Sequence, residues 1–123
     1  MVLLDTNILI EVFRNNSTVI ATVGSIGQDN IAVSDVTCAE LYFGARNKAE
    51  LQMLRKTLSY LPIYHVNTKI SEMAVNLVEQ YCLSHKLDWE DALIAATAIH
   101  ENIDLCTLNP KDFIFLHNLK IYQ

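Results

Sequence analysis

Two short apolar runs, Val2-Leu3-Leu4 and Ile31-Ala32-Val33, limit this chain's folding more than any other feature. Neither alternates apolar with polar residues, as a strand with one wet face would. Such runs suit strands buried on both sides, which belong to parallel sheets covered by helices. Ile63–Val66 and Ile103–Thr107 read as two further strands, and Lys120–Tyr122 as an edge strand. Between them lie segments of helical period. Thr6–Phe13 is one. Ser17 reads as the N-cap of a second, whose apolar face is Val19, Ile20, Val23 and Ile26 and whose end is Gly27. A third spans Val36 to Ala45, and Leu51, Leu54 and Leu58 share a face of a fourth that Pro62 stops. Ile70, Met73, Ala74, Leu77, Val78 and Tyr81 repeat at i, i+3, i+4, i+7, i+8 and i+11, the clearest helix of the chain. Asp88 opens a last helix, Glu90–His100, and Pro110 a single turn. Strands alternating with helices predict the α/β class, with a mostly parallel central sheet.

The 123 residues are 51% hydrophobic, enough for one domain, residues 1–123, with its own core. No apolar run approaches the roughly 18 residues of a membrane span. The start lacks the basic region and cleavage site of a signal peptide. A cytoplasmic location with no membrane partner is therefore expected. The three cysteines, Cys38, Cys82 and Cys106, lack C-x-x-C spacing and read as small buried hydrophobes. The net charge of −5 argues against binding nucleic acid through the surface alone. It is compatible with nucleic-acid chemistry if carboxylates hold divalent cations, which reverse the local sign.

Acidic and amide residues recur where strands give way to helices: Asp5, Glu40, Asp91 and the Asn109/Asp112 pair. In open parallel sheets, sites lie beyond the carboxyl ends of the strands, and Asp5, Ser34, Thr107 and Asn109 fall there. Each acid also has a structural role open to it. Asp5 can cap the first helix, Glu40 can close a Thr37-x-x-Glu40 capping box, Asp91 can reach back to a cap, and Asp112 can solvate its turn. Gathered on one rim, they would repel and raise one another's pKa. A cation would relieve this, and hard oxygen donors select Mg²⁺ or Mn²⁺.

Four segments, L-L-D-T-N-I-L-I, A-V-S-D-V-T-C-A-E-L-Y-F-G-A, W-E-D-A-L-I-A-A-T-A and L-C-T-L-N-P-K-D-F, occur in that order across nearly the whole chain. Together they resemble the PIN-domain nucleases, and more narrowly the VapC-type toxins of toxin–antitoxin pairs. The resemblance implies a three-layer α/β/α sandwich and a Mg²⁺- or Mn²⁺-dependent endoribonuclease that cleaves RNA phosphodiesters. It further implies a small antitoxin protein as partner. The family's acids fall on Asp5, Glu40 and Asp91. The fourth position, commonly Asp, is Asn109 here, whose amide oxygen can ligate without charge. Asp112 is the nearby carboxylate able to complete a metal set, directly or through water. Thr6, Ser34 and Thr107 match the family's small hydroxyl positions.

Leu41, Tyr42, Phe43 and Leu58, Tyr60, Leu61 offer more apolar area than one sheet face needs, which suggests a homodimer; the resemblance favours one too. Arg46, Lys48, Arg55, Lys56, Lys86 and Lys111 are candidate phosphate contacts. Trp89 can stack a base or wedge its helix. The four histidines show no pairing by spacing and read as ordinary boundary residues. Three other readings fit parts of the pattern, one of them a DNA-directed nuclease of the same superfamily, which the small size, without room for a helical arch or DNA clamp, disfavours. A receiver-like phosphoacceptor domain would need a mid-chain Asp, yet none lies between Asp35 and Asp88. A catalytically weak PIN fold that binds RNA or protein has Asn109 as its hint.

Overall fold

The short apolar runs do become strands, and they pair side by side. The computed structural model describes residues 1–123. In chain order the elements are β1 (Val2–Leu4), α1 (Thr6–Phe13), α2 (Ser17–Ile26), β2 (Ile31–Ser34), α3 (Asp35–Phe43), α4 (Lys48–Leu58), β3 (Ile63–Tyr64), α5 (Thr68–His85), α6 (Trp89–Glu101) and β4 (Asp104–Cys106). Single 3₁₀ turns occupy Gln28–Asn30 and Pro110–Asp112. The sheet runs β3-β2-β1-β4 and every pair is parallel. Leu3 lies opposite Ala32 on one side and Leu105 on the other. The third strand lies outside the second, whereas receiver-like sheets place it across the first strand. That order excludes the receiver-like reading.

Successive side chains of a strand face opposite ways, and β1 divides the core accordingly. Val2 and Leu4 join Ile8, Leu9, Leu41, Leu54 and Leu58 under α1–α4. Leu3 points the other way, to Ile70, Ala74, Phe113 and the alanines of α6 under α5 and α6. Ala92, Ala95, Ala96 and Ala98 are all fully buried, so α6 lies close against its neighbours. The result is the expected α/β/α sandwich.

Local differences from the sequence reading have local causes. Asn16 caps α2 one residue before Ser17, its side chain accepting from the Val19 N–H. Gly27 does end that helix, at φ +93°, where a side chain would be strained. α3 starts at Asp35 because Ser34 caps it through the Thr37 N–H. β3 stops at Tyr64 because the Val66 N–H bonds to the Asp35 carboxylate and not to a neighbouring strand. The expected edge strand at Lys120–Tyr122 is one parallel bridge, Ile121 to Leu105. Cys38 and Cys106 are buried, but Cys82 is exposed on α5, against expectation. No helix is long and apolar enough to cross a membrane.

Candidate active site

Asp5 follows β1, the innermost strand of the first half of the chain, and is 6% exposed. Its Oδ1 accepts from the Thr6 N–H at 2.8 Å, so the capping role is real. Its Oδ2 accepts from Thr107 Oγ1, also at 2.8 Å, across the β1–β4 pair. The Thr107 hydroxyl is fully committed: it also accepts from Asn7 Nδ2 at 3.4 Å and from the Asn109 N–H at 3.1 Å. Asn7 Oδ1 accepts in turn from the Leu108 N–H, tying the loop after β4 to α1. Asn7 lies inside a quoted motif, but this role depends on strand pairing and could not be read from the sequence.

Glu40 projects from the second turn of α3. Because Ser34 is the cap, Glu40 is an interior helix residue and not the end of a capping box. Its Oε1 accepts from Thr6 Oγ1 at 2.6 Å, and Thr6 Oγ1 also stands 3.1 Å from Thr37 Oγ1. Thr6 therefore links Asp5, through its backbone, to Glu40, through its hydroxyl. Asp91 occupies the first turn of α6, where Asp88 takes over the capping by accepting from the Asp91 N–H at 2.8 Å. The Asp91 carboxylate senses the charges of Asp5 and Asp112.

Burial comes first in raising all three carboxyls, and charge crowding adds to it. Asp5 is raised by desolvation against the hydrogen bonds from Thr107 and Thr6, with the Asp112 charge adding to the rise. Glu40 is pushed up to about 7 by desolvation and then by Glu90, whose carboxyl faces it within hydrogen-bonding reach. Asp91 is also pushed up to about 7, by desolvation and then by the charges of Asp88, Asp5, Asp112 and Glu90. The structure thus brings Asp5, Glu40, Asp91 and Asp112 into one electrostatic cluster. It adds Asp88, which the sequence offered only as the start of a helix, and Glu90, which it did not single out although the run D-W-E-D shows three acids together. Asn109 is exposed and enters the network only through its backbone N–H. Ser34 is wholly buried and serves as a helix cap, with no bond to an acid.

The donor set consists of carboxylates and hydroxyls, the chemistry of a hard divalent cation. As the side chains stand, no group of three or more His, Cys, Asp or Glu residues is arranged to hold an ion. Occupancy would therefore require side-chain rotation, most easily by Glu40, which has the longest acidic side chain. In chemical terms the residues fit a Mg²⁺ or Mn²⁺ ion.

This is a parallel α/β domain with acids at the carboxyl rim of its sheet, and the comparisons place it in a family. Residues 2–114 match the PIN domain, and the chain belongs to that family. It is 31% identical over 123 residues to the Mycobacterium tuberculosis H37Rv protein named Ribonuclease VapC19, covering 98% of both chains. It is 31% identical over 122 residues to Ribonuclease VapC10 of the same strain, covering 98% of this chain and 91% of that one. Among solved structures, a toxin–antitoxin complex from Klebsiella pneumoniae superposes with a TM-score of 0.83 at 32% identity, covering 97% of this chain and 95% of that chain. VapBC2 from Rickettsia felis, bound to a DNA fragment from its promoter, superposes with a TM-score of 0.82 at 30% identity, covering 99% and 98%.

Proposed function

We propose that this PIN-domain protein is a Mg²⁺- or Mn²⁺-dependent endoribonuclease and the toxin of a toxin–antitoxin pair. One observation carries the reading. Asp5, Glu40 and Asp91 come from three separate elements and share one rim, where their burial and mutual charge stand uncompensated by any cationic side chain. The names of the VapC relatives and the toxin–antitoxin complexes support it.

In this reading Asp5, Glu40 and Asp91 hold the cation, with Asn109 and Asp112 as candidates for completing the set. The chemistry such a cation supplies when bound is activation of water and neutralisation of phosphate charge. The protein's part is positioning. Thr107 and the Thr6 N–H hold Asp5 by both oxygens, so its carboxylate has one orientation. The Thr6 hydroxyl holds Glu40 at the rim through Oε1. Asp88 starts the helix that carries Asp91, and the charges of Asp5 and Asp112 act on the Asp91 carboxylate. Ser34 supports the site only by starting α3, the helix that carries Glu40.

A groove of about 740 Å³ between α1, α3 and α4 is lined by Ile10, Phe13, Leu41, Met53 and Leu54, and Glu40 also lines it. It suits the apolar face of an antitoxin helix carrying an arginine, which can bind a carboxylate bidentately. A homodimer is proposed as well, on a narrower basis than the sequence offered. Leu41 and Leu58 are buried in the core, and of the six residues Phe43 (94%) and Tyr60 (66%) are left most exposed.

The test incubates purified protein with tRNA, mRNA and single-stranded DNA, with and without Mg²⁺ or Mn²⁺. Cleavage of RNA that a chelator stops, and that Asp5→Asn abolishes while the circular dichroism spectrum is kept, is expected. Cleavage that persists in chelator, or in Asp5→Asn, would sink the metal-carboxylate reading.

A further inference from the structure

The Thr6 hydroxyl has two neighbours and one hydrogen. Its Oγ1 lies 2.6 Å from Glu40 Oε1 and 3.1 Å from Thr37 Oγ1. An ionised carboxylate offers only acceptors, so the Thr6 hydrogen goes to Glu40. The short contact is that of a hydroxyl bonded to a charged group. Thr6 Oγ1 then has only lone pairs left for Thr37, and the Thr37 hydroxyl must be the donor between them. Donation therefore runs in one direction, from Thr37 to Thr6 and from Thr6 to Glu40.

Nothing else in the fold uses the Thr37 hydroxyl. The residue is wholly buried, so it can touch neither an ion nor a substrate. Capping of α3 falls to Ser34, which accepts from the Thr37 backbone N–H at 3.3 Å. The one hydrogen bond of the Thr37 side chain is the one to Thr6. A buried hydroxyl costs desolvation that a single bond only offsets. Valine would fill the same shape without that cost, so packing alone gives no reason for a hydroxyl here.

The position does give a reason. Thr37 precedes Glu40 by three residues of α3, so the two side chains share a helix face. Thr6, in the first turn of α1, meets both of them there, and its backbone N–H holds Asp5 Oδ1 at 2.8 Å. Thr6 thus stands between two acids of the rim, and Thr37 is the interior group behind it. Without Thr37 the Thr6 hydroxyl is a rotor held on one side only. The chain of bonds also loses the mutual polarisation that strengthens it.

We propose that Thr37 is a positioning residue of the cation site: its hydroxyl, acting through Thr6, sets the direction in which the Glu40 carboxylate is presented at the rim. The inference rests on the metal-dependent nuclease reading of the acidic rim.

The test titrates Mn²⁺ into the purified, RNA-free protein at pH 8 by calorimetry. Thr37→Val keeps the side chain's shape and removes its hydroxyl. It should weaken Mn²⁺ binding about 5-fold, less than the roughly 10- to 100-fold for groups bonded directly to a ligand, because Thr37 is one bond further away. The Mn²⁺ concentration that gives half-maximal RNA cleavage should rise by the same factor. Thr37→Ser keeps the donor and should bind as the wild type does. Thr6→Val should weaken binding at least as far as Thr37→Val, and the double variant no further, since Thr37 acts only through Thr6. A merely structural role reverses both results: serine, which leaves a small cavity, would not rescue, and the two losses would add. Thr37→Ala removes the same hydroxyl and serves for the comparison if Thr37→Val does not fold. Wild-type affinity in the hydroxyl-free variant, or a double variant weaker than Thr6→Val alone, overturns this inference while the wild type still binds Mn²⁺ and cleaves RNA. A wild type that neither binds Mn²⁺ nor cleaves RNA with it sinks the nuclease reading.

Discussion

At the scale of single residues, the acidic rim costs the fold stability. Glu40 and Asp91 titrate near 7 in the folded chain, well above ordinary carboxyls. Between about pH 4 and pH 7 the folded chain therefore holds protons that the unfolded chain has released. Stability falls as pH rises through that window and is level above it. Asp91→Asn removes the charge and should raise stability at pH 8 by about 1 kcal/mol, allowing for solvent screening at this half-open rim. The gain should vanish near pH 4. Thermal melts across pH check this, and a destabilised Asp91→Asn at pH 8 would contradict it. A bound cation relieves the same repulsion, so millimolar Mg²⁺ or Mn²⁺ should raise the melting temperature of the wild type at pH 8. Asp91→Asn should respond much less, and an equal response in both proteins would place the ion elsewhere. Asp5 and Asp91 stood out in the sequence because acids at strand-to-helix junctions need a reason. Glu40 stood out as well, but its local pattern suggested a capping box that Ser34 makes unnecessary. Glu90 was not legible as a site residue, since its meeting with Glu40 depends on how α3 and α6 approach one another.

At the scale of elements, the long periodic helices and the buried inner strands were easy to read, and the sheet edges were not. The spacing from Ile70 to Tyr81 identified α5, and Asp88 marked the start of α6 within a residue. β3 was overestimated because its end is set by a side chain thirty-one residues earlier, Asp35, taking the Val66 N–H. The 3₁₀ turn Pro110–Asp112 shows how a minor element can hold a site. Phe113, 1% exposed, directly follows Asp112 and anchors that turn in the core shared with α5 and α6. Phe113→Ala should cost about 3–5 kcal/mol by cavity formation, read from urea denaturation. A loss under about 1 kcal/mol would mean that the turn is held by other contacts.

For the molecule as a whole, the α/β/α arrangement was legible because unbroken apolar runs have few ways to be buried. Strand order was not, since a parallel sheet admits several orders with the same pattern. Association is the remaining question at this scale. Phe43 and Tyr60 should lie in a contact between copies, so sedimentation should find a dimer that Phe43→Asp with Tyr60→Asp converts to a folded monomer. A monomeric wild type at tens of micromolar would rule out the homodimer.

The Asp5–Thr107 hydrogen bond joins residues 102 positions apart, and β1 pairs with β4 just beneath it. During synthesis Asp5 leaves the ribosome early, yet nothing can orient its Oδ2 until Thr107 has emerged as well. On the proposed function, a growing chain therefore carries the site's acids without the assembled site for most of translation. An interrupted chain lacking β4 should be harmless to the RNA around it, and activity should begin only when synthesis is nearly complete.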